Sequence, residues 1–93
     1  MAGNLFISCV LHRPERTYDK TAAAINALDG TCVEIHFALW HIRTAQSPDE
    51  VRDRLKPGLD ANDQLVVIDA SNGKTAWINL AKKAADSLHE LES

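Results

Sequence analysis

The sequence predicts an α+β fold, and three observations lead there. Apolar runs of strand character occupy residues 5–11, 32–43 and 64–70. The tetrapeptide SPDE at residues 47–50 is a capping box with proline at the first helical position. A tail from about residue 81 to residue 92 is amphipathic at helical spacing. With a helix after the first run and a hairpin after the third, the order reads βαβαββα, which is α+β in a single domain over residues 1–93.

The first run alternates Leu5, Ile7, Cys9 and Leu11 with Phe6, Ser8 and Val10. Both sets are largely apolar, the mark of a central strand covered on both sides. Thr17 is placed to cap a helix over about residues 18–28. Its Tyr18, Ala22, Ile25 and Leu28 fall on one stripe, and Gly30 stops it. Residues 32–43 form the longest strand-like run, with Cys32, Glu34, His36, Ala38, Trp40 and Ile42 on one face. Val33, Ile35, Phe37, Leu39 and His41 lie on the other. The same length also suits two short strands meeting at a bend.

In the SPDE helix Val51, Leu55 and Leu59 point inward, and Pro57-Gly58 ends it. After the strand at 64–70, Asn72-Gly73 matches a type I′ turn into a further strand at 75–80. Ala84, Leu88 and Leu91 make the apolar stripe of the tail. Two short helices cover one sheet face. The other face therefore meets the tail helix, a second subunit, or both.

Ninety-three residues suffice for one domain but bury only about 60–65% of the unfolded surface, so such a chain gains from a partner. Hydrophobic residues at 45% and charged ones at 25% are those of a globular protein. The net charge of −3 excludes a uniformly basic nucleic-acid binder and leaves room for a local basic patch. Cys9 and Cys32 lie in strand-like runs without a CxxC pair, and read as buried free thiols of a cytoplasmic protein. There is no leader-like segment and no apolar run near ~18 residues, so neither export nor a membrane span is expected.

The chemistry-bearing residues mostly have plain readings. NGKT at residues 72–75 imitates the end of a phosphate loop, but the glycine required five residues earlier is Ile68. His12, His36, His41 and His89 lack partners at ligand spacing, so no metal and no cofactor are expected. Asp69 starts a turn and reads as a local backbone acceptor. Arg13, Arg16 and Lys20, with Arg43 drawn in by the fold, form the candidate nucleic-acid contact, although Glu15 and Asp19 interleave with them. Val33, Ile35, Phe37 and Leu39 form the candidate dimer interface. Trp40 and Trp77 read as core or interface anchors.

Several segments, in order over about residues 5–80, resemble the small bacterial proteins described as SinR-like. They are FIS at 6–8, HRPERTYDK at 12–20 with its Pro14 and Tyr18, ALWHIRT at 38–44, VRDRLKPGLDANDQLVVID at 51–69, and TAW at 75–77. That group is in turn similar to the CRISPR-associated endonucleases of the spacer-acquisition complex. The resemblance implies a ferredoxin-like α/β sandwich with two helices on one face of an antiparallel-containing sheet. It also implies a homodimer formed through the sheets and, in the CRISPR relatives, nucleic-acid handling. Their Mg²⁺ site uses a Tyr-Asp at the end of the first strand, where this chain has Cys9 and Val10.

With that carboxylate missing, the expectation is a non-catalytic, homodimeric binding or assembly protein that contacts nucleic acid or a protein partner. The competing readings are an Mg²⁺-dependent endonuclease with a displaced acid, Asp69 or Asp19, and a toxin–antitoxin component.

Overall fold

The computed structural model describes residues 3–28, 30–71 and 75–89. The chain runs β1 (Gly3–Val10), α1 (Pro14–Asn26), β2 (Thr31–His36), β3 (Leu39–Thr44), α2 (Pro48–Leu55), a short 3₁₀ turn (Lys56–Gly58), β4 (Gln64–Asp69) and α3 (Lys82–His89). The four strands form one sheet in the order β2-β3-β1-β4, and every neighbouring pair is antiparallel. The fold is therefore α+β, with a four-stranded antiparallel sheet and three helices among the described residues. None of those helices is long and apolar enough to cross a membrane.

The long run at 32–43 is a hairpin rather than one strand. A bulge between Glu34 and His36 and a turn at Phe37-Ala38 reverse the chain. Ala38 has φ +64°, a conformation costly for a residue with a Cβ. The Glu34 carboxylate offsets that cost by accepting the Ala38 N–H at 3.1 Å. Gly30, at φ +121°, precedes β2, and a Cβ there would meet the Arg43 carbonyl oxygen at 1.9 Å. Only glycine fits.

Helix α1 begins four residues earlier than its apolar spacing suggests. Pro14, whose φ is preset and whose missing N–H is no loss there, starts it without a side-chain cap. Thr17 is consequently inside the helix, where its hydroxyl donates to the Arg13 carbonyl at 3.1 Å. Helix α2 carries the expected capping box. Glu50 N–H donates to Ser47 Oγ at 3.2 Å, and Ser47 N–H donates to Glu50 Oε1 at 3.1 Å.

Both helices pack on one sheet face. Leu5, Ile7, Cys9, Trp40 and Ile42 meet Ile25, Leu28, Val51 and Leu55 there, and all are buried. Helix α3 crosses the opposite face, where Ala84 and Leu88 bury Ile35, flanked by Phe6, Val33, Leu39, Trp77 and Leu80. The expected strand at 75–80 does not form. Those residues cross toward α3 without strand pairing, and Trp77 and Leu80 serve its cluster instead. The Asn72-Gly73 turn lies outside the described residues, as do residues 90–92 of the expected tail helix.

Candidate assembly surface and strand end

At the end of β1 the alternation puts Cys9 into the core and Val10 outside, 62% exposed. Burial, reinforced by Asp63, pushes the Cys9 thiol up to about 11. That thiol stays protonated and unreactive at neutral pH. Asp63 is the carboxylate this strand end does meet, and the pattern of the sequence did not single it out. Its oxygens accept His12 N–H at 2.7 Å and Asp60 N–H at 2.8 Å, and these bonds hold its carboxyl below the usual range. The Val10–Gln64 pairing is what brings it there. An Asp directly before a strand that pairs with β1 is the signal that could have found it.

Asp69 lies at the opposite end, beside Leu5. It accepts the Ser71 N–H at 3.0 Å and the Ser71 hydroxyl at 2.6 Å, which lowers its pKa. It is engaged with its own turn and stands about 17 Å along the strand from Val10. Asp19 is exposed on α1. Among the described residues no three His, Cys, Asp or Glu side chains gather as metal ligands.

The basic residues divide. Arg13, Arg16 and Lys20 follow one another at helical spacing along the start of α1, all exposed. Arg43 does not join them. It pairs with Asn4 at the far end of β1, about 20 Å from the strand end that leads to Arg13.

The apolar face also lies elsewhere than its spacing suggested. Val33, Ile35 and Leu39 pack within the chain against the α3 cluster. The turn swings Phe37 to the helix side, where its ring stacks on Tyr18 at 4.9 Å and 11°. The Tyr18 hydroxyl donates to Glu34, and that bond, with burial and the charges of Glu34 and Asp19, pushes Tyr18 up to about 12. What remains open is the half of the second face made by β1 and β4. Val10 is exposed there with Val66 and Ile68, each of the latter 53% exposed. Ser8 faces Val66 and Phe6 faces Ile68 across the two strands, so these groups form one continuous patch.

Where α3 meets the sheet, a buried polar link crosses the layers. His41, 2% exposed, bonds Ser87 Oγ through Nδ1 at 2.5 Å and Asn4 Oδ1 through Nε2 at 3.0 Å. The Asn4 oxygen can only accept, so Nε2 carries a proton and donates to it. Comparison with protein-family models, with curated proteins and with solved structures finds no match to this chain.

Proposed function

We propose that this chain is a ferredoxin-like, SinR-like protein that works as a homodimer and binds or assembles rather than catalyses. The observation that carries the reading is the open apolar patch of Val10, Val66 and Ile68 beside a helix that covers only the β2–β3 half of the face. Contiguous apolar surface of this kind on a small domain marks an interaction site. The strand order β2-β3-β1-β4 with two helices on one face supports the ferredoxin-like description. The basic stripe of Arg13, Arg16 and Lys20 supports weak contact with nucleic-acid phosphates, for which three exposed cations suffice.

The non-catalytic half of the reading rests on the carboxylates. Mg²⁺ needs oxygen ligands, and the strand end offers a thiol and an isopropyl group. The neighbouring acid, Asp63, already spends both oxygens on backbone N–H groups. Incubation of the purified chain with RNA and DNA in Mg²⁺ or Mn²⁺ tests this half. No cleavage is expected. Cleavage that disappears in Asp63→Asn or Asp69→Asn would establish the nuclease instead.

A further inference from the structure

The two edges of the sheet differ. At β2 a bulge between Glu34 and His36 interrupts the strand, and α3 packs beside it over Ile35. Bulges and covering helices are how proteins blunt an edge. The other edge, β4, has the sequence QLVVID, with no bulge, no Pro, no Gly and no charge before Asp69. A strand of that kind is a template for pairing with another strand. Beside it lies an open groove of about 270 Å³, lined by Leu65, Val66 and Val67 of β4 and by Pro48, Asp49 and Arg52 of α2.

The ladder decides which backbone groups this edge presents. Ala70 N–H donates to the Asn4 carbonyl at 2.8 Å, so Ala70 turns its polar groups toward β1. That orientation alternates along an antiparallel strand. Val66 and Ile68 therefore bond to β1, whereas Leu65, Val67 and Asp69 point their N–H and C=O groups outward. Among the described residues, no strand and no other backbone group pairs with them. Donors and acceptors repeating every second residue are matched by an extended strand, not by a helix or a small molecule.

We propose, resting on the homodimer reading above, that two copies of this chain join edge to edge through β4, antiparallel about a two-fold axis at Val67. That register sets Leu65 opposite Asp69 of the second copy and Val67 opposite its own counterpart. These are the outward-facing residues, and each such pair exchanges two N–H···O bonds. Val66 then faces Ile68 of the second copy at the closer, non-hydrogen-bonded positions. The exposed patch of Val10, Val66 and Ile68 thus continues across the axis, each exposed β4 side chain meeting another. On the helix side Asp49 and Arg52 give each copy both signs of charge beside the groove. A second copy is the occupant because it matches the backbone groups, the apolar side chains and the charges together.

Residue-resolved hydrogen exchange of the wild type tests this, measured above and below the concentration at which light scattering shows the dimer dissociate. The Leu65 and Val67 amides should exchange about tenfold or more slowly in the dimer, and those of Val66 and Ile68, already bonded to β1, should change much less. Val67→Pro adds a second test. Proline there removes only an outward N–H, the position at which an edge strand tolerates it, and thermal melting checks the fold. The folded variant should be monomeric at tens of micromolar; should it fail to fold, the exchange measurement decides alone. A wild-type dimer whose Leu65 and Val67 amides still exchange fast overturns the edge pairing and leaves the homodimer reading standing. A folded Val67→Pro variant that stays dimeric does the same. A monomeric wild type overturns both.

Discussion

Ser87 and His41 join α3 to the middle of the sheet through a 2.5 Å hydrogen bond buried between them. Among the described residues, few other polar contacts reach this helix. Its ion pair, Lys82 with Asp86, is internal to the helix and exposed, and such pairs contribute little. The docking of α3 thus depends on Ala84 and Leu88 for burial and on Ser87 for register.

Ser87→Ala should therefore cost about 1–2 kcal/mol, roughly 5–15 °C in melting temperature for a domain of this size. Thermal unfolding followed by circular dichroism measures it. An unchanged midpoint would mean that the helix is held by apolar contact alone.

Trp40 sits at the centre of the other core, 1% exposed, with Tyr18 stacked over it at 6.1 Å. Trp40→Ala should cost about 3–5 kcal/mol, comparable with the whole stability of a small domain. Trp77→Ala, at a half-buried position, should melt much closer to wild type. If the two variants melt alike, the helix-side core is not the principal one.

Stability should fall at alkaline pH. Tyr18 is raised from 10.0 to about 12, and Cys9 and Cys32 from 9.0 to about 11. Each group is protonated more tightly in the folded chain than in the unfolded one. Its contribution is complete below the unfolded value and disappears as pH rises through the folded value. Denaturant midpoints should accordingly drop between about pH 9 and 12, and Tyr18→Phe should lessen the upper part of that drop. A flat profile across this window would contradict the burial and the Glu34 bond.

For nucleic acid, the separation of Arg43 from the α1 stripe makes a distinction between variants. Three phosphate contacts imply a slope of log affinity against log salt near −2 to −3. Arg16→Ala should reduce that slope by about 0.7–0.9, whereas Arg43→Ala should leave it alone. Fluorescence titrations at several salt concentrations decide this. Equal effects of the two substitutions would mean that one ligand spans the whole sheet.

Where the sequence states a local rule outright, the structure follows it. The capping box of Ser47 and Glu50, the inward Val51 and Leu55, and the buried Trp40 are of that kind. The hairpin at Phe37-Ala38 carries no Gly, Asn or Pro to announce it, because its strained turn is stabilised from outside by Glu34. The start of α1 was masked in the same way, since Pro14 needs no capping side chain and Thr17 offered a plausible one. Spacing put Val33, Ile35 and Leu39 on the second face but misplaced Phe37, which the turn carries to the helix side, and it did not reveal which residues α3 would take. It took Val33, Ile35 and Leu39, and the uncovered residues are on β1 and β4. Asp63 became visible only through the pairing of those two strands.

Light scattering on wild type and on the double variant Val66→Asp/Ile68→Asp tests the central claim most directly. Both side chains are already exposed, so the substitutions should leave the fold intact, as a melting curve will show. At tens of micromolar the wild type should have the mass of a dimer, consistent with an interface of roughly 1,200–2,000 Å² in total. The variant, with four carboxylates facing one another across the same surface, should have the mass of a monomer. A wild type that is monomeric at that concentration, or a folded variant that remains dimeric, would contradict the account.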